Sequence, residues 1–167
     1  MKIEKQIIAI TCILILLTIS APLCAVSAVT TINVTVTRYL SITNTSTLEF
    51  GSIATSATAG TVVVDIDGTR FATGGVTINN SGSYTPAKFV IEGKPKANFY
   101  IKMPDRVELR DGYGNIISVT DFRANMQSGA LNDEGVLEIK IGGQINLDPN
   151  QSTGDYSGSM VVELNYS

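Results

Sequence analysis

The sequence predicts an all-β fold, an antiparallel sandwich or barrel, and three observations carry that expectation. From Val29 onward apolar residues recur with a period of two, which places them on one face of an extended chain. The apolar runs are short, and turn-forming residues separate them: Asp67-Gly68, Asn80-Ser81-Gly82, Asp111-Gly112, Gly142-Gly143 and Asp148-Pro149-Asn150. No sustained helical period intervenes. Only Phe122 to Leu131 could hold a helical turn, and its Ser128-Gly129 works against one. Short strands with turns at this spacing build antiparallel sandwiches and barrels.

In chain order, residues 1–28 read as a secretory signal. Lys2 and Lys5 precede an apolar run from Ile7 to Ile19, and Val26-Ser27-Ala28 offers small residues for cleavage near Ala28. The run is short of the about 20 apolar residues that span a bilayer. Residues 29–167 are then expected to form a single extracytoplasmic domain, in the periplasm, on the cell surface or secreted, with no membrane span after cleavage.

The first strand-like stretch runs from Ile32 to Ile42. Ile32, Val34, Val36, Leu40 and Ile42 share a face interrupted by Arg38, and Thr31, Asn33, Thr35 and Thr37 line the other. Further strands are expected at 47–50, 61–66, 70–78, 87–92, 98–103, 106–109, 116–121, 136–141 and 156–166. In the last of these, Tyr156, Met160, Val162, Leu164 and Tyr166 share one face with Gly158, and Ser157, Ser159, Glu163 and Asn165 share the other.

Composition narrows the function classes. The 12 basic and 15 acidic side chains give a net charge of −3, and the leader removes Lys2, Lys5 and Glu4. That balance lacks the positive charge that neutralises nucleic-acid phosphates. Cys12 and Cys24 both lie in the leader, so the exported domain is expected to hold together without disulfides. The absence of histidine removes the commonest general base and metal ligand. No cofactor, catalytic residue or metal site is expected, and the chain reads as a non-enzyme.

One motif tests that reading. Thr61 to Arg70, TVVVDIDGTR, ends in Asp-x-Asp-Gly-Thr, which looks like the first motif of haloacid-dehalogenase phosphatases, with Asp65 as nucleophile and Asp67 as acid/base. Such a site also needs a Lys and a second acidic pair for magnesium. The nearest thing to that acidic motif, Gly154-Asp155, has no second acid within the next few residues, and Asp133-Glu134 sits in a Gly/Asn-rich loop. The following Arg70-Phe71-Ala72-Thr73-Gly74-Gly75-Val76 reads as a returning strand rather than a helix. A secreted phosphatase therefore stays a remote alternative. The favoured reading is a hairpin turned by Asp67-Gly68, with Arg70 ion-paired to Asp65.

Several blocks in order resemble the bacterial domain of unknown function 4402: Leu48-Glu49-Phe50-Gly51-Ser52-Ile53, Gly60 to Asp65 with Asp67-Gly68-Thr69-Arg70, Thr73-Gly74-Gly75-Val76, and Gly154-Asp155-Tyr156-Ser157-Gly158. The Leu-x-Phe-Gly block and the closing strand, with penultimate Tyr166 and with Gly154 fourteenth from the end, are also similar to spore-coat U and chaperone–usher fimbrial subunits. The resemblance implies an immunoglobulin-like, pilin-like sandwich and a fimbria- or coat-like structural subunit assembling by β-strand complementation. The closing strand (Gly154, Tyr156, Met160, Val162, Leu164, Tyr166) would edge the groove. Ile32, Val34, Val36, Leu40 and Ile42 would be the domain's own first strand, the favoured reading, or a strand donated to a neighbour. Implied partners are a homo-polymer, other envelope or surface proteins, and a periplasmic chaperone. The alternative is an extracellular module binding carbohydrate or protein through loops 79–85, 110–115 and 125–135, with Tyr84 and Tyr113 exposed.

Overall fold

A computed structural model describes residues 31–34, 36 and 39–167. The predicted secretory signal, residues 1–28, lies outside them. The chain divides into Met1–Thr35 and Val36–Ser167. Of the first unit only residues 31–34 are described, all exposed and none in a strand.

The second unit is all-β and antiparallel throughout. In chain order its strands are β1 (Ser41–Ser46), β2 (Glu49–Phe50), β3 (Ile53–Ala54), β4 (Gly60–Val64), β5 (Arg70–Gly74), β6 (Thr77–Ile78) and β7 (Tyr84–Thr85). There follow β8 (Ala87–Glu92), β9 (Asn98–Lys102), β10 (Val107–Arg110), β11 (Ile116–Ala124), β12 (Ser128–Ala130), β13 (Val136–Leu147) and β14 (Glu163–Tyr166). The segment 122–131 holds the end of β11 and all of β12, so the helical turn considered there does not form.

The main sheet runs β1-β8-β13-β11-β10, with β4 on β13 and β5 on β4. β13 organises it. One edge of this 12-residue strand pairs with β11, while the other pairs with β8 through Val136–Ile141 and then with β4 through Gly143–Leu147. A smaller sheet, β12-β9-β14, completes a sandwich, and two ribbons, β2-β7 and β3-β6, lie beside it.

Alternation fills the space between these layers. Ile139, Ile141, Ile145 and Leu147 of β13 are at most 3% exposed, as a strand with one buried face requires. Ile139 and Ile141 join Ala87, Ile91, Phe99, Ile101 and Leu131 in one apolar cluster, beneath the smaller sheet. Ile145 and Leu147 join Val62, Ile117 and Val119 in a second, packed by Phe50, Ile53, Leu109 and Tyr156. Phe122 touches both.

Two sequence expectations change here. Gly142-Gly143 is not a turn; it lies in mid-β13, where that strand exchanges β8 for β4 as neighbour. A Cβ on Gly142 would collide with the carbonyl oxygen of Val64, so the exchange requires glycine. The hairpin at 65–69 does form, with Val64 opposite Arg70, but its loop has five residues rather than the two of a tight Asp-Gly turn.

Candidate functional site

Between the ribbon around 47–55 and the segment 151–160 lies a groove of about 940 Å³. Protein interiors leave few voids larger than a water molecule, and this volume lies in the range of ligand sites. Its apolar lining comes from both clusters: Leu48, Phe50 and Ile53 on one wall, Tyr156 and Met160 on the other, and Phe89, Leu109, Ile117, Val119, Phe122, Ile145 and Leu147 below. The floor is shielded: Ile117, Val119, Ile145 and Leu147 are only 2–6% exposed.

The closing segment forms the second wall, and it does not run as one strand over 156–166. Ser157 alone bridges to Arg110 of β10, exchanging both backbone hydrogen bonds at 2.8 and 3.0 Å. The chain then crosses to the other layer, where β14 pairs with β9 through Glu163–Tyr166. Met160, Val162 and Leu164 are half-buried against the first cluster. Tyr156 is half-buried on the second, its hydroxyl donating to the Ser152 carbonyl at 2.7 Å. Gly154 lies beside Asp111. Tyr166 is 46% exposed, and its hydroxyl accepts a 3.4 Å bond from the Lys94 amide.

The predicted first strand divides. Leu40 and Ile42 pack on the first cluster, with Ile42 in β1 opposite Ile91. Ile32, Val34 and Val36 stay out of every strand at 88%, 83% and 89% exposure. The reading of Ile32–Ile42 as one continuous own strand is thereby corrected: β1 begins only at Ser41. Among the described residues the three upstream apolar side chains join neither cluster.

The first wall is made of two-residue strands. Glu49 and Phe50 oppose Thr85 and Tyr84, and Ile53 and Ala54 oppose Ile78 and Thr77. Between them the ribbon breaks at Gly51 (φ 70°) and near Gly82 (φ 84°), a left-handed backbone that glycine adopts without strain. Arg70, at the start of β5, fills this break. Its Nη1 donates to the Phe50 carbonyl at 2.8 Å, its Nη2 to the Asn79 carbonyl at 2.9 Å, and its guanidinium lies 4.2 Å from the Tyr84 ring centroid. Hydrogen bonds from a charged donor contribute about 1.5–3 kcal/mol each, and the ring contact about 0.5–1 kcal/mol. The expected ion pair to Asp65 does not form. Asp65 accepts from the Ile66 amide at 2.7 Å, while Arg70 reaches carbonyls that no neighbour in sequence supplies.

The two aspartates of the phosphatase-like motif bond within their own loop. Asp67 Oδ1 accepts from the Thr69 hydroxyl at 2.7 Å and the Thr69 amide at 2.8 Å, and these bonds, the hydroxyl first, hold the Asp67 carboxyl below its usual range. Asp111 is held low in the same way, first by the Asn115 side chain and then by the amides of its turn, which presents Tyr113 at 93% exposure. Among the described residues no three His, Cys, Asp or Glu side chains come together as a metal site.

The blocks that carried the resemblance thus frame one structure: the Leu48–Ile53 block forms a wall, the Gly60–Arg70 block its support, and the Gly154–Gly158 block the opposite wall. The family described as "Domain of unknown function (DUF4402)" matches residues 40–166. The chain belongs to that family. No curated protein and no solved structure matches it. The DUF4402 match begins at Leu40, the first described residue that packs on the core, and leaves Ile32, Val34 and Val36 outside it.

Proposed function

We propose that this DUF4402 protein is a secreted or surface-associated structural subunit, fimbria- or coat-like, that assembles by β-strand complementation. The observation that carries the reading is the coexistence of a groove and an alternating apolar segment outside the sheets. The groove exposes apolar wall between two clusters. The segment Ile32-x-Val34-x-Val36 alternates at the period a groove would read, and its three apolar side chains stand almost wholly in water. Six residues, 31–36, span about 20 Å when extended, enough for three alternate side chains to enter. In such β-augmentation the backbone bonds give affinity and alternate side chains give register. An extracytoplasmic location agrees with the leader-like residues 1–28, and the partners would be further copies, another envelope protein, or a chaperone that holds the groove before assembly.

The test is a ladder of oligomers on gels run without boiling that collapses on heating, together with filaments by electron microscopy. A mature protein that stays monomeric at high concentration, with nothing recovered from the surface of its own cells, would refute the reading. One observation favours a second reading, an extracellular carbohydrate- or protein-binding module: Tyr113 stands free on a turn that Asp111 holds through three hydrogen bonds. A glycan array with no hits would remove the carbohydrate branch.

A further inference from the structure

Phe50 contributes to two things at once. Its side chain lines the groove and packs on the second cluster, and its carbonyl is held by Arg70. The other carbonyl that Arg70 holds, at Asn79, belongs to the opposite side of the same ribbon, where the Asn79 amide bonds to the Ser52 carbonyl. One guanidinium therefore fastens both sides of the wall to the main sheet. It does so where β2-β7 and β3-β6 are interrupted, beside the Ser52 amide's bond to the Ser81 carbonyl, and where Gly51 leaves the space that Nη1 fills: a Cβ there would collide with that atom. The base of the fastening is rigid, because the Asp67–Thr69 bonds and the Asp65 amide bond to the Thr69 carbonyl at 2.9 Å fix the residue just before Arg70.

The shielded floor gives this fastening a consequence. A strand cannot reach residues that are 2–6% exposed unless a wall moves. The wall of two-residue strands, kinked at glycine, is one that can. We infer that Arg70 is the positioning residue that keeps this wall closed and thereby sets how fast a strand enters the groove. What enters rests on the strand-complementation reading above; what Arg70 holds does not.

The test uses the full chain, its R70Q variant and R70K, which keeps the charge but cannot fork to two carbonyls. The probe is a labelled synthetic peptide of residues 29–38, VTTINVTVTR. Uptake is followed by fluorescence anisotropy, and wall opening by hydrogen exchange at the Ser52 and Asn79 amides. Loss of one charged hydrogen bond changes an opening equilibrium by about tenfold or more. R70Q is therefore expected to take up peptide at least about tenfold faster than wild type, with faster exchange at both amides, and R70K to fall between them. Uptake by R70Q and R70K at the wild-type rate overturns the inference, even where the melting temperature drops. Should no form bind peptide while both amides exchange faster in R70Q, the positioning role stands and strand complementation falls. Should exchange also be unchanged, both fall. If R70Q does not fold, R70K carries the same comparison.

Discussion

At the scale of single residues, the Asp-x-Asp-Gly-Thr motif builds the hydrogen-bonded loop that leads into Arg70. Asp67 is the part that titration can follow. Its folded-state pKa is lowered by the Thr69 hydroxyl and amide, so it adds stability that is fully present above its unfolded value of about 4 and is lost as pH falls through the lower folded value. Asp111 behaves the same way through Asn115. Urea midpoints measured from pH 6 down to pH 2 should therefore fall in the acid range, and D67N should flatten part of that fall while D111N flattens another part. The two losses should add, because the residues belong to different turns. Deep in the core the expectation is larger. Phe99 is fully buried, and F99A should cost about 3–5 kcal/mol in chemical denaturation. The link from Arg70 to Phe50 and Asn79 was not legible in the sequence. Both acceptors are backbone carbonyls, which every residue carries, and they lie 20 and 9 positions away.

At the scale of elements, legibility follows strand length. β8 spans Ala87–Glu92, the range its alternation predicts, and β9, β10 and β11 begin within a residue of expectation. β3, β7 and β12 have only two or three residues, too few for a period of two to show. β13 misled for the opposite reason: its two glycines read as a turn, yet they are what lets a strand longer than its neighbours change partner. G142V should thus disrupt the β4 pairing, by collision with the Val64 carbonyl, and lower the melting temperature. The closing segment was legible in its alternation but not in its path, since alternation says which side chains turn inward and not which sheet receives them. Tyr166 is the case in point. With 46% of it exposed, Y166A should cost about 2 kcal/mol, roughly half of what a buried aromatic costs, and an equilibrium denaturation curve measures it. Lys102 and Glu163 across the β9-β14 ladder lie 3.9 Å apart and are mostly exposed, so K102A should change stability by less than about 1 kcal/mol.

At the scale of the whole molecule, the groove and the unplaced strand make a prediction that separates assembly from folding. Val34 is 83% exposed, so V34D should leave the unfolding free energy of the monomer within about 0.5 kcal/mol of wild type. If strand complementation operates, the same change should abolish the heat-labile ladder, because a carboxylate would have to enter an apolar groove. Unchanged ladders in V34D would locate the assembly contact elsewhere. The groove itself could not be read from the sequence, because it lies where no side chain is, between segments that are far apart along the chain. Its two walls, however, coincide with sequence blocks that already stood out.

β13 belongs to both clusters, and that continuity has a mechanical reading. If the 31–36 segment of one subunit lodges in its neighbour, tension along the assembly would enter the body at β1, pass sideways through β8 and arrive in β13. The strand that receives the pull is the strand that spans both halves of the core, so neither half could shed load by opening alone. Such a subunit would behave as a tie-rod rather than a chain of springs, holding its length under strain until it fails in a single event.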